Sequence, residues 1–470
     1  MPEQQEAEPT EDRQQTVDPA VIDREGLAAL IGRERGTYAA THPRSREAFL
    51  ASGRNLLGGV PMTWMRMWPG GFPLYLATAH GARLTDIDGN SFTDFCLGDT
   101  GAMAGHSPAA VRAAVTRRFA DLGGATTMLP TQDAAWVAAD LARRFGPSRW
   151  SFTLTATDAN RWAIRIARQL TRRPKILVFS YCYHGSVDET FVVATPAGAR
   201  SREGNVGAPV DPRETTRVAE FNDIAALERG LAHGDVAAVL MEPALTNIGI
   251  VLPLPGYLQL VRELTSLHGA LLINDETHTF SAGPGGCTRA WDLEPDIVTI
   301  GKSIAGGIPA GAYGLSAPLA ERILADSQAD IVDTGGVGGT LAGNALSMAA
   351  ARATLENVLT DSAFGRMIGL ADRYTAGVRD VLTSRRLPWT ITQLGARAEY
   401  RFCPDPPRTG GESAAAGDAE LDEYLHLYLV NRGVLLTPFH NMALMCPDTS
   451  EAEVDAHTAA FADAADDLLA

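Results

Sequence analysis

Asp296-Ile-Val-Thr-Ile-Gly-Lys302-Ser-Ile-Ala-Gly-Gly-Ile-Pro-Ala-Gly-Ala-Tyr-Gly314 sets a β-branched run, Ile297 to Ile300, directly before a glycine-rich loop built around one lysine. The run suits a buried strand, and the glycines break it. A lysine desolvated in an apolar pocket gives up its proton readily, and the neutral amine attacks carbonyls to form a Schiff base. A surface lysine in a turn is the plain alternative. The neighbouring segments decide between the two.

Outward from this stretch, short apolar runs alternate with helical patterns. The expected strands are 152–155, 176–179, 237–241, 271–274 and 297–300. Such alternation implies parallel pairing in an α/β layer architecture, and ligands of these sheets sit beyond the carboxyl ends of the strands. Upstream, residues 82–95 read as a hairpin turning at Asp88-Gly89-Asn90. Helical patterns precede it at 23–33 and 44–57, the second ended by Gly58 and Gly59. Downstream, 345–358 is helical and 404–418 is a low-complexity loop.

Composition narrows the function classes. At 470 residues the chain exceeds a single small core. A hydrophobic share of 45% with 20% charged residues is that of an ordinary globular enzyme. A formal net charge of -16 argues against nucleic acid or an anionic membrane surface as partner. No leader pattern and no bilayer-length apolar run is visible. Cys96, Cys182, Cys287, Cys403 and Cys446 are widely spaced, which fits reduced thiols of a cytoplasmic protein rather than disulfides or a metal site. Residues 1–22 are polar and acidic and are expected to form a disordered tail.

Several candidates follow strands in turn. After 152–155 come Ala156 and Thr157, with a helix expected over 161–170; a helix start offers free N–H groups and a positive dipole end to an anion, although a plain cap by Thr157 is the alternative. After 176–179 come Tyr183, His184 and Gly185, where an aromatic can stack on a planar ligand or simply fill a core. After 271–274 comes Asp275, a carboxylate that needs a cation: a pyridinium nitrogen, a metal or a structural ion pair. With Lys302 these describe a pocket for a phosphorylated pyridine aldehyde, pyridoxal phosphate, held on the lysine as a Schiff base.

These residues resemble the class III aminotransferases of fold type I, in the branch near glutamate semialdehyde aminomutase. The likeness runs from about Leu57 to Leu435 through Leu57-Gly-Gly-Val, Thr85-Asp-Ile-Asp-Gly-Asn, Gly105-His-Ser-Pro, Tyr183-His-Gly, Met241-Glu-Pro, Asp275-Glu, Gly301-Lys302 and Gly339-Thr-Leu-Ala-Gly-Asn344. It implies a large domain with a mostly parallel seven-stranded sheet between helices at 99–350. A smaller α+β domain would be drawn from 23–98 and 351–470. Lys302 would be the Schiff-base lysine and proton shuttle, Asp275 would hold the pyridinium, and Tyr183 would stack on the ring. Ala156 and Thr157 would take the phosphate, Asn247 would lie near the ring hydroxyl, and His184, Glu242 and Thr277 would complete the cofactor contacts. Thr340 would reach the phosphate of a neighbouring subunit, so the resemblance implies a homodimer with shared active sites.

The departures concern the substrate. Thr155-Ala156-Thr157-Asp158-Ala159 stands where the family has Ser-Gly-Thr-Glu-Ala, so either the loop differs in shape or its φ was already negative. Thr277, followed by His278, replaces a valine. The serine and arginine that handle the substrate carboxylate in that branch are replaced by Met62 and Met65, with Arg66 one place away, and an acidic residue expected near Pro438-Phe-His440-Asn is missing. Met62, Trp64 and Met65 either pack as core or line a pocket mouth for an apolar or aromatic amine. Arg397 and Arg401 are either acid-binding residues or strand-edge surface arginines.

The expected activity is a ping-pong aminotransferase acting on a small amine and a keto acid, its donor an apolar or aromatic amino acid or a β-amino acid. An aminomutase or racemase is the alternative. A cofactor-holding but inactive protein is a third reading, against which every alignable catalytic position is present.

Overall fold

Residues buried on both faces build the centre of the structure, a computed structural model that describes residues 21–207, 210–325 and 336–470. Val236–Met241 is buried at every position, as the middle of a sheet covered by helices on both sides requires. The sheet has seven strands in the order Arg149–Thr153, Gly311–Leu315, Ile297–Ile300, Leu271–Asp275, Val236–Met241, Lys175–Phe179 and Thr216–Ala219. All five expected strands are present, with boundaries shifted by up to a few residues. Thr216–Ala219 and Gly311–Leu315 are additional.

Gly311–Leu315 departs from the expected parallel pairing. It runs antiparallel to both Ile297–Ile300 and Arg149–Thr153. The reason is connection length, because the loop 301–310 is too short for the crossover that a parallel neighbour needs. Lys302 therefore sits in the bend between two adjacent strands.

The helix Ala156–Thr171 buries Ala159, Ala163, Ile164 and Ala167 on one face against the sheet. A second core joins the two ends of the chain, placing Leu27, Tyr38 and Phe92 with Tyr374, Tyr400 and Phe461. The expected hairpin forms from Arg83–Asp86 and Ser91–Asp94, and Val434–Leu435 adds to it in parallel. Thr390–Leu394, Arg397–Arg401 and Met442–Leu444 make a further antiparallel sheet. The helix expected over 23–33 extends as Arg24–Thr41, capped by Asp23, and the next one is the shorter Pro43–Ser52. The segment 404–418 is not simply a loop, since Thr409 caps a helix at Gly410–Ala415. Residues 1–20 of the acidic segment lie outside the described residues.

Two histidines in the second core make stability depend on pH. Burial pushes His426 down to about 4 and His457 down to about 3. An unfolded histidine titrates near 6.5, so between roughly pH 6.5 and 4 the unfolded chain binds more protons, and stability is lost as pH falls through that window. At pH 5 the loss is about 2 kcal/mol per histidine. Thermal unfolding midpoints at pH 7 and pH 5 check this; His457→Gln should flatten the dependence, and equal midpoints in the parent chain rule it out.

Candidate active site

Beyond the carboxyl ends of the central strands lies a cavity of 470 Å³ lined by Ala156, Thr157, Tyr183, Glu242, Asp275, Thr277, His278 and Lys302, among others. Its floor is the start of the helix Ala156–Thr171. That helix begins earlier than expected, and its cap is Thr155, whose hydroxyl accepts from the Asp158 amide at 3.2 Å. Ala156 opens the helix and has no positive φ, so glycine is not required there. Thr157 is thus freed from capping, and its Oγ1 accepts from Ser186 N at 3.1 Å. Gly185, at φ +76°, lies so close that a Cβ would collide with Thr157 Oγ1. At Gly301 a Cβ would stand 2.9 Å from Ala156 N, so the lysine loop and the helix start meet backbone to backbone.

Asp275 ends the strand Leu271–Asp275 and is buried. Its Oδ2 accepts from Asn160 Nδ2 at 2.7 Å and from His184 Nδ1 at 2.9 Å, while Oδ1 accepts from Thr277 N at 3.0 Å. Burial raises the carboxyl, but the His184 bond and charge, with the Asn160 bond, outweigh it and hold Asp275 below the ordinary range. Burial likewise opposes charge on His184, yet Cys182 and Asp275 keep that imidazole well above its usual value. The cation paired with Asp275 inside the protein is thus His184, which stands behind the cavity. Asn160 is itself fixed, because its Oδ1 accepts from Thr299 Oγ1 at 2.6 Å.

Lys302, at φ +50°, extends its Nζ to 2.7 Å from Asp99 Oδ2 and 2.5 Å from His278 Nε2. Burial raises Asp99, but Lys302 and Arg397 beside it pull its carboxyl far below the ordinary range. Burial, reinforced by the Lys302 charge, holds His278 well below its usual value. Asp99 and Asn160 escaped the sequence reading. The signal for Asp99 was an acid flanked by glycines in Gly98-Asp99-Thr100-Gly101, where Asp99 and Thr100 both take positive φ.

The remaining candidates divide. Glu242 lines the cavity, and burial raises its carboxyl while Thr246 Oγ1 donates to it. Tyr183 has Trp64 against it edge-on at 6.3 Å, and Trp64 in turn packs 4.8 Å from Phe439, so Trp64 stands at the cavity mouth. Met62 and Met65 are exposed, which sets aside core packing for them. Asn247 is not brought to the cavity; with its amide oriented to suit its neighbours, its oxygen accepts from Arg202 at 3.1 Å. Arg66 is turned against Gly58. Arg397 and Arg401 are buried, not strand-edge surface residues. Arg401 donates to the Ser413 carbonyl, away from the cavity. Arg397 lies behind it, against His278 and Thr100. Thr340 is exposed.

This donor set fits pyridoxal phosphate. Thr277 Oγ1 lines the cavity, buried and without a hydrogen-bond partner, so a ligand atom could satisfy it. An amine, a carboxylate and a helix start face the same space, and Gly185 and Gly301 let their loops pack directly against that helix start. Among the described residues, no group of histidine, cysteine or acid side chains could hold a metal, and no helix is long and apolar enough to cross a membrane.

Comparison with known proteins agrees. A glutamate-1-semialdehyde 2,1-aminomutase of Anaeromyxobacter sp. (strain Fw109-5) is 32% identical over 408 residues, covering 84% of this chain and 92% of its own. Two solved structures of a glutamate-1-semialdehyde-aminomutase from Pseudomonas aeruginosa PAO1, one in complex with PMP, superpose with TM-scores of 0.92 at 49% and 48% identity, covering 95% of this chain and 99% of theirs. An omega-transaminase from Sphaerobacter thermophilus superposes with a TM-score of 0.81 at 29% identity, covering 90% and 97%. The aminotransferase class-III family matches residues 67–462, and the chain belongs to that family of pyridoxal-phosphate-dependent enzymes.

Proposed function

We propose that the protein is an aminomutase-type enzyme, which moves an amino group between two carbons of one small molecule. The observation that carries this reading is the 49% identity, over 95% of the chain, to a protein described as a glutamate-1-semialdehyde-aminomutase. That similarity supports the aminomutase over the two-substrate aminotransferase that the sequence alone put first.

Bound in this cavity, pyridoxal phosphate supplies an electron sink that acidifies the C–H bond beside an amine. The protein's part is to hold and to move protons. The N–H groups at the start of Ala156–Thr171 and Thr157 Oγ1 would take the phosphate. Asp275, kept ionised by His184, would hold the ring nitrogen, and Tyr183, which lines the same cavity, would cover the ring. Lys302 Nζ would hold the cofactor and, as a free amine, would move a proton between neighbouring substrate carbons, with Asp99 and His278 as its hydrogen-bond partners. Thr340, exposed on this chain, serves the phosphate of a neighbouring subunit in a homodimer.

A specific observation favours the aminotransferase as second reading. Met62, Trp64 and Met65 stand exposed at or near the mouth where the resembling aminomutases carry a serine and an arginine, and Arg66 is turned to Gly58. The test is mass spectrometry of the loaded enzyme incubated with a panel of amino acids and amino aldehydes, no keto acid being added. An aminomutase yields a product of unchanged mass. Conversion that begins only when a keto acid is supplied, with nitrogen appearing in that acid, overturns the first reading and supports the second.

A further inference from the structure

We propose that Arg397 is a positioning residue that locks His278 in the tautomer protonated on Nε2, so that the ring's single proton points at Lys302. The inference rests on Lys302 being the reactive amine and on the hydrogen bonds around it.

The argument is one of donors and acceptors. Arg397 is buried at 1% exposure, and its Nη1 lies 3.1 Å from His278 Nδ1, while Nη2 donates to Thr100 Oγ1 at 2.9 Å. A guanidinium has no acceptor and does not deprotonate in a protein. The Arg397 contact therefore requires a lone pair on Nδ1, and an imidazolium, which carries hydrogen on both nitrogens, would set N–H against N–H. A neutral ring with Nδ1 bare carries its hydrogen on Nε2. That nitrogen is 2.5 Å from Lys302 Nζ. Burial, together with the Arg397 charge, favours the same uncharged ring.

The consequence falls on Lys302. In the uncharged form, the one that attacks an aldehyde, its nitrogen accepts from His278 Nε2–H on its lone pair and gives an N–H to Asp99 Oδ2 at 2.7 Å. One side of the amine is assigned to a donor and the other to an acceptor, which fixes where the lone pair points. Lys302, Asp99, Arg397 and Asp275 are the charged and titratable groups that act most on His278, and among the described residues only Arg397 contacts the far ring nitrogen. The arrangement differs from a general stabilising ion pair, since Arg397 lies 3.7 Å from Asp99 Oδ1 while hydrogen-bonding the neutral imidazole.

The test uses the full chain freed of cofactor and labelled with 15N-histidine, with the His278 signals assigned from their absence in His278→Gln. Nitrogen shifts and couplings should report a bare Nδ1 and a protonated Nε2 from pH 6 to 8. In Arg397→Met, which keeps bulk but donates nothing, both tautomers should populate and the shifts should average. In Arg397→Lys, which keeps a donor, the parent tautomer should return. A second readout is the rate at which the chain captures pyridoxal phosphate, followed by absorbance. It should fall about tenfold in Arg397→Met, the equivalent of one lost hydrogen bond, and recover in Arg397→Lys. An Nδ1-protonated ring or an imidazolium in the parent chain overturns the proposal even if Arg397→Met does not fold, and so does an unchanged tautomer in a folded Arg397→Met. Failure of the Lys302 assignment would appear elsewhere, as borohydride-trapped cofactor on a different peptide.

Discussion

Lys302→Ala is expected to give a folded chain that cannot hold pyridoxal phosphate covalently and whose turnover falls by at least about 10²–10⁴-fold, the range for loss of a positioned acid–base group. Folding should survive. The lysine side chain is 26% exposed, and Asp99, its closest ion partner, keeps Arg397 at 3.7 Å. Neither of its partners can replace it, because a neutral imidazole and a carboxylate do not form a stable imine with an aldehyde. Borohydride reduction followed by peptide mapping reads the first half of the prediction. The parent chain should carry the reduced adduct on the peptide containing residue 302, and the variant should carry none. An adduct on another lysine, or turnover within tenfold of the parent, would refute it.

Asp275→Asn should weaken cofactor binding by roughly 10²–10⁴-fold, with little change in the shape of the cavity. Asparagine fits the same space but removes the negative charge, and removing one partner of a buried ion pair leaves the other uncompensated at a cost of about 3–5 kcal/mol, where 1.36 kcal/mol is tenfold. Two cations are then abandoned, the His184 imidazolium within the protein and the ring nitrogen of the cofactor. The hydrogen bond from Thr277 N at 3.0 Å can still be accepted by the amide oxygen, which is why the loop should stay in place. Equilibrium titration with pyridoxal phosphate gives the affinity, and near-ultraviolet circular dichroism checks the fold. An affinity within threefold of the parent would show that Asp275 is only a structural partner of His184.

What could be read from the chain alone followed from local chemistry. The apolar runs at 176–179 and 297–300 specify buried strands wherever they lie, and the residues just after them arrive at the cavity because strand ends do. Gly311–Leu315 was invisible because its small residues read as loop. They are small because Trp150 and Thr153 of the adjoining strand press against Gly314 and Gly311, a tertiary demand with no local trace. Arg397 likewise looked like a surface residue, since nothing within several positions explains a buried guanidinium. Its partners Thr100 and His278 lie 297 and 119 positions away. Asn247, expected at the cofactor ring, and Arg66, expected at the substrate, were the least legible: both are in the right neighbourhood by alignment but turned to Arg202 and Gly58 by packing.

The tight bend that carries Lys302 also bears on how the chain assembles. Joining Ile297–Ile300 to Gly311–Leu315 closes a loop of only residues 301–310, whereas bringing Arg397 to Thr100 closes one of 297 positions. Closure entropy grows with the logarithm of the span, so the amine is the part of the pocket most easily set in place, and the arginine behind it bears the larger entropic penalty. The route of least entropic resistance therefore presents the lysine first and completes its surroundings last, once the two ends of the chain have met.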